Sequence, residues 1–523
     1  LYSSSTTHTS RGDYQARGQA GLQQKGVAGV QLHLTVYLPG MMFPNSFLLA
    51  LVAACFCLFS NRGFAFVPNG KPIFVGTSSS LPITTTAGIP RRSSSAIHMG
   101  ATTGAMKKSS PAKDWPFWFI LPIAPYQKRE TVMEEVVKDK IWTFDQLQGI
   151  LYVVVPIRMT VIKMEGGGLF VYAPVAPTGE VMEQMRALEA AHGPVRHVVL
   201  PTLGLEHKVF AGPFAQKFPR AEVWYCPGQY SFPFKLPVSW LGFGFRKVKE
   251  LPKDPSTAPF APEFDYRVVG PLLSKDKIGG FGEAAFFHAP TKTLLVTDVV
   301  VRVSERIPAI VAKDPRALLF HARDAADEVV ADTPAVRAKG WRHLQQFALF
   351  FQPSALETVP LGQALRDARA SPMKELGWGG LYPFAWTRDD RPSFEAMKAG
   401  GGLLVAPILQ CLLLSREVQK VARFRDEVAE WPFERIVPCH LENNLRAGPD
   451  EWLEAFSFLE DVEGLPPLLK PIQVLSDDVD FLNEAEKALV AAGTLFPKEA
   501  KLAARRPSPG RLLTRLGRNL GRR

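Results

Sequence analysis

The chain is 523 residues long with a formal net charge of +11, so it has room for two to four average domains and a large core. The charge sits at the ends: +9 falls in residues 1–113 and +8 in residues 498–523, leaving −6 over residues 114–497. A mildly acidic centre excludes a broad phosphate-binding face there and speaks against nucleic acid as a partner.

Residues 1–41 show no periodicity and read as a leader, untranslated or disordered, around an initiating Met41 or Met42. Residues 42–65 read as a signal peptide: the run MMFPNSFLLALVAACFCLF has the length of a signal core and falls short of the ~20 apolar residues that a membrane span needs. Residues 66–113 hold fourteen Ser/Thr, six Lys/Arg and no acid, which is transit-peptide composition. The Ala65-Phe66 junction resembles the bipartite presequences of algae with complex plastids, where a signal peptide is cut just before a Phe that opens the transit peptide. The expectation is a plastid (chloroplast) protein whose mature form starts near residue 100–115 and has no transmembrane span. Of the five cysteines, Cys226, Cys411 and Cys439 remain in that form; they are too scattered for a disulfide framework, and no CxxC offers a structural zinc finger.

The mature chain opens with three predicted strands, 151–156, 159–164 and 168–175, the last two joined at Gly166 to Gly168. A helix follows, with Thr178 as N-cap, a stripe of Val181, Met185, Leu188 and Ala191, and an end at Gly193-Pro194. Residues 195–202 read as a strand, a loop then carries Glu206 and His207, 208–218 read as a short helix and 221–227 as a strand, the alternation of βαβ units. The segment 224–245, rich in aromatics and prolines, either walls a pocket or packs its own rings on the core. YRVVGPLL, EAAFFHA and TLLVTDVV add three strands, and together they make a core over 114–310. Residues 311–430 read as a helical insertion whose most apolar stretch, GGGLLVAPILQCLLL, is too short to span a bilayer and is expected to pack on the core. The chain returns to the core over 431–465 with a strand at 433–440 and a helix at 451–460, and 466–523 form a C-terminal extension with a basic tail.

Chemistry is sought at strand ends, where α/β sheets place their ligands. Glu206 and His207 follow one strand, Asp298 follows TLLVT and His440 follows RIVPC. If these ends converge, two imidazoles and two carboxylates offer a mixed N/O set suited to one zinc, iron or manganese ion. Each residue also has an ordinary structural use, as a hydrogen-bonded histidine or a turn-capping aspartate. His288 lies ten residues before Asp298, toward the far end of its hairpin, and His192 and His197 sit at the opposite end of their strand, so all three read as structural. Glu283 is the nearer alternative ligand.

The order of elements and the strand-end residues resemble the metallo-β-lactamase superfamily, whose first motif is HxHxDH. Thr202-Leu203-Gly204-Leu205-Glu206-His207 stands at that motif: Thr202 and Gly204 replace two histidines, Glu206 replaces the aspartate and His207 is kept. The family's third-motif histidine is missing as well, since KIGGFGEAAFF, before Asp298, contains none. The resemblance implies an α/β fold, an αββα sandwich with a helical insertion, in which the first metal site is lost and Glu206, His207, Asp298 and His440 stand at the second. A closer likeness is to a plastid and cyanobacterial branch, domain of unknown function 4336, from about Trp142 to Leu459, through GGLFVYAPVAPTGE, LPTLGLEHKVFAGPFAQKFP, FFHAPTKTLLVTD and PFERIVPCHLEN. Two functions stay open. One is a mononuclear metal-dependent hydrolase of ester, thioester or phosphoester substrates. The other is a catalytically degenerate binding or assembly module with a plastid protein as partner.

Overall fold

The computed structural model describes residues 113, 123–124, 128–150, 153–229, 237–244, 246–272, 280–460, 474–491, 493 and 495–502. The leader, signal peptide and transit peptide, apart from Lys113, lie outside these residues, as does the tail from 503 and part of the aromatic segment 224–245. The chain divides into two units, Leu1–Phe43 and Pro44–Arg523, and every described residue belongs to the second.

Two sheets form the core. The first holds eight strands: β1 (Ile123–Ala124), β2 (Val132–Val137), β3 (Ile141–Ile150), β4 (Val153–Lys163), β5 (Leu169–Tyr172), β6 (Val195–Leu200), β7 (Glu222–Tyr225) and β8 (Val248–Glu250). Their order is β1-β3-β4-β5-β6-β7-β8, with β2 also on β3; pairing is antiparallel up to β5 and parallel from β5 to β8. The second sheet holds β9 (Phe264–Leu272), β10 (Phe281–His288), β11 (Thr293–Val296), β12 (Arg435–Pro438) and β13 (Leu445–Arg446), in the order β13-β12-β11-β10-β9. Only β11 and β12 run parallel there.

β4 is one strand where the sequence suggests two. Pro156 looks like a breaker, but β5 pairs with β4 only over Thr160 to Lys163, so the Pro156 stretch is an edge on that side and tolerates a missing N–H.

Side chains alternate across each strand, and that alternation builds the layers. Facing inward, Phe170, Tyr172 and Val199 of the first sheet meet Phe264, Phe286, Leu295 and Val437 of the second in one buried cluster. Facing outward from the first sheet, Val161, Val171 and Val198 pack under α1 (Gly179–His192) and α2 (Leu205–Gln216). Facing outward from the second, Phe287, Leu294 and Ile436 pack under α4 (Val418–Ala429) and α5 (Pro449–Ala455). The result is helix, sheet, sheet, helix: the αββα sandwich that the sequence implied.

Thr178 caps α1, its hydroxyl accepting from Val181 N–H. The buried stripe is Val181, Met182, Met185 and Leu188, with Ala191 exposed, because the helix leans toward the Met182 side. α2 begins at Leu205, three residues before the expected start, so Glu206 and His207 ride on its first turn and not on a loop. Its first bond, Lys208 N–H to Gly204 O at 3.2 Å, forms without a capping side chain, which hid the start from a search for Ser, Thr, Asp or Asn.

The stretch between the core strands is more mixed than its helical pattern suggests. α3 (Pro334–Phe350) is its longest helix, yet Leu356–Thr358 pairs with Phe384–Trp386 and Val301–Arg302 with Leu403–Leu404. Both ribbons are too short for periodicity to reveal. GGGLLVAPILQCLLL divides into that Leu403–Leu404 strand and a helix Pro407–Leu412, with Leu403, Val405 and Leu412 buried, as packing on the core requires. No helix among the described residues is long and apolar enough to cross a membrane.

Candidate metal centre

The structure brings Glu206, His207, Asp298 and His440 to one point. Each offers a ligand atom, and the four atoms all lie within 4.8 Å of one another. Topology explains the convergence. β11 and β12 run parallel with Val296 opposite Pro438, so Asp298 and His440, each two residues beyond its strand, emerge together. β6 of the facing sheet delivers α2, whose first turn supplies the other two.

His440 Nε2 lies 3.0 Å and His207 Nε2 4.0 Å from the same Asp298 Oδ1. The two rings are 5.3 Å apart at 64°. His207 is wholly buried, while Glu206, Asp298 and His440 keep some solvent exposure, so the point opens to water on one side.

The surroundings hold these groups in place. His440 Nδ1 donates to Pro156 O at 2.8 Å, which leaves Nε2 to face Asp298. Arg158, also on β4, makes a two-pronged bond to Asp145 directly across on β3, at 2.7 and 2.8 Å. Its remaining donors reach Pro438 O at 2.5 Å and Leu441 O at 3.2 Å, so one buried guanidinium grips the chain on both sides of His440. Leu441 has φ of 54°, a left-handed conformation that a leucine does not choose unaided. On the Asp298 side, Glu283 accepts from the N–H groups of Thr297, Asp298 and Val299 at 2.6, 2.8 and 3.0 Å. Thr202 Oγ1 donates to Asp298 Oδ2 at 3.4 Å and accepts from Gly204 N–H at 3.0 Å.

The titratable groups of the cluster shift one another. Burial and the nearby Asp298 charge push Glu206 up to about 7. Burial holds His207 down to about 4. Burial also works against ionised Asp298, but its hydrogen bond to His440 and the charge of that ring win, and its carboxyl falls to about 2. His440 rises in turn, because bonding to Asp298 outweighs burial.

Does one ion fit? His207 is the test: both of its ring nitrogens are buried and neither has a hydrogen-bond partner. Buried polar groups are ordinarily satisfied, so an imidazole left bare beside two carboxylates and a second imidazole suits a ligand more than a packing residue. Ligands about 2.1 Å from an ion stand at most ~4.2 Å apart, close to the observed spread. Among the described residues this is the one group of three or more His, Cys, Asp or Glu side chains so placed.

A profile of the family described as domain of unknown function (DUF4336) matches residues 138–458. The chain belongs to that family. Among solved structures, it is similar at 9% identity and a TM-score of 0.32 to the metal-soaked flavodiiron core Flv1 from Synechocystis sp. PCC6803, over 63% of this chain and 60% of that one. It is similar at 11% identity and a TM-score of 0.30 to the DIM-1 metallo-β-lactamase exposed to ceftazidime, over 62% of this chain and 96% of that one. A flavo di-iron protein mutant from Thermotoga maritima is similar at 9% identity and a TM-score of 0.31, over 63% and 62%. The chain thus spans about three fifths of the length of these flavodiiron proteins. No curated protein matches.

In this DUF4336 chain the positions set aside in the sequence stay apart from the centre. His288 ends β10 opposite Thr293, its Nδ1 2.7 Å from Thr291 Oγ1 and its Nε2 3.7 Å from Glu263. His192 stacks on Trp142 at 4.8 Å, and His197 Nδ1 lies 3.5 Å from Glu222. Glu283, weighed as a replacement ligand, instead has both oxygens on backbone N–H groups. Sequence reasoning missed Arg158 and Asp145. Their signal was available: a charge of each sign inside neighbouring apolar strands must be paired if buried.

Proposed function

We propose that this chain is a plastid protein in which Glu206, His207, Asp298 and His440 hold a single transition-metal ion, and that the centre serves a metal-dependent hydrolase. The observation that carries the reading is the wholly buried His207 ring, bare at both nitrogens and surrounded by three further ligand atoms. A divalent ion held there would act as a Lewis acid and bring the pKa of a water toward ~7.

The chain's own groups supply the rest. His440 is presented through Nε2 because its Nδ1–H donates to the Pro156 carbonyl. Asp298 is held by Thr202, His440 and its own backbone bond to Glu283. The partial exposure of Glu206, Asp298 and His440 gives an ester, thioester or phosphoester a way in.

One ion fits better than two. Thr202 Oγ1 is committed to Gly204 and Asp298. Gly204 has no ligating side chain, and a Cβ there would stand 3.0 Å from Glu206 Oε1. Those same losses favour the second reading, a metal-binding module without turnover. The separating experiment is a panel of ester, thioester and phosphoester substrates on metal-loaded, metal-free and His207→Ala protein. Turnover only in the loaded wild type supports the hydrolase, and metal uptake without turnover supports the module.

A further inference from the structure

β10 touches both segments that carry the ligands. Its backbone takes up the loop leaving β6: Leu203 N–H donates to Gly282 O at 2.9 Å, Ala284 N–H donates to Pro201 O at 2.7 Å, and Thr202 and Glu283 form an antiparallel bridge between them. That loop runs directly into Glu206 and His207. The side chain of the same Glu283 turns to the loop leaving β11. Oε1 accepts from Thr297 N–H, and Oε2 from both Asp298 and Val299 N–H.

A carboxylate is an expensive residue to place here, since Glu283 is wholly buried within the otherwise apolar GEAAFF stretch. Its chemistry is specific to the task. When ionised, its two oxygens offer about four lone pairs and no donor, so three N–H groups bind without conflict. Glutamine would bring one oxygen and an NH2 group facing an N–H donor. With three successive N–H groups fixed, the Asp298 side chain starts from a determined backbone and meets His440 Nε2 at 3.0 Å.

We propose that Glu283 is a positioning residue of the metal centre, joining the Glu206–His207 segment and the Asp298 segment to one strand so that their ligand atoms keep their spacing when an ion enters. This rests on the metal reading above. Outer groups that orient ligands change metal affinity by about 10–100-fold when removed, which sets the expected effect.

The test uses the full chain and three measurements: the zinc Kd by competition with a chromophoric chelator, the visible absorption of the cobalt(II)-loaded protein, and the Tm of the metal-free protein. Glu283→Gln is expected to weaken the zinc Kd about 10–100-fold and to alter the cobalt(II) spectrum while the stoichiometry stays the same. Glu283→Asp, which restores the charge, recovers part of the loss. In an Asp298→Ala background Glu283→Gln should add nothing further. A lowered Tm with wild-type Kd and spectrum would mean that Glu283 only stabilises the fold, and would overturn the proposal. An additive loss in the Asp298→Ala background would overturn positioning through Asp298. Should Glu283→Gln fail to fold, Glu283→Asp decides by the same Kd and spectrum, wild-type values for both being the adverse result. A wild-type chain that takes up no ion removes the parent reading and this one together, whereas uptake by wild type with an unchanged variant removes this one alone.

Discussion

His440 Nε2 lies 3.0 Å from Asp298 Oδ1, two residues beyond a parallel strand pair whose register sets Val296 against Pro438. Arg158 fixes one side of that relationship by gripping the carbonyls of Pro438 and Leu441 while Asp145 holds its guanidinium.

Removing half of this buried pair should therefore damage the fold as well as the centre. Arg158→Ala leaves Asp145 buried without its partner, a change that typically costs ~3–5 kcal/mol. Burial already pushes the Asp145 carboxyl up against the pull of Arg158, so it protonates readily once that partner is gone. Urea unfolding of the two proteins measures the loss. A loss below about 1 kcal/mol would show that water replaces the guanidinium, and that the pair does little to hold the His440 loop.

His288 should have no part in metal binding but a part in acid stability. Burial lowers its folded pKa from 6.5 to about 4, with the Lys140 charge acting the same way and Glu165 opposing. The unfolded chain thus takes up a proton below pH ~6.5 while the folded chain resists until about 4, so stability falls as pH drops through that window, by at most ~1.4 kcal/mol per pH unit. His288→Gln should flatten the dependence of Tm on pH between 6.5 and 4 and leave metal content unchanged. An unaltered pH profile would refute the assignment.

Targeting is tested in living cells. A fluorescent fusion of residues 42–113 is expected to enter the plastid, and Phe66→Ala to stop it at an outer compartment, on the strength of the Ala65-Phe66 junction and the acid-free Ser/Thr stretch. Secretion of the unaltered fusion would rule out the plastid address.

The buried strands of this fold were legible because β6, β11 and β12 read as near-continuous apolar runs, whereas the αββα order was implied by the family resemblance. Asp298 and His440 were legible for the same reason, since a polar group just past such a run stands out, while Glu206 and His207 stand farther on, in the first turn of α2. What the sequence hid depends on partners far away in the chain. Nothing local to Glu283 shows that three N–H groups await it fifteen residues on, and nothing local to Arg158 shows that it meets residues 280 and 283 positions later. The start of α2 was hidden by an uncapped Gly204, and β4 was split in expectation by Pro156, whose carbonyl in the folded chain orients His440.

The most direct test of the account is metal content per chain, by elemental analysis of protein purified without chelator. One ion per chain is expected, with occupancy sharply reduced in His207→Ala and in Asp298→Ala, because each change leaves an incomplete ligand set. Two ions per chain would mean that a first site persists on residues other than Thr202, Gly204 and Glu283. No ion at all, with His207→Ala as stable as wild type, would contradict the metal centre outright.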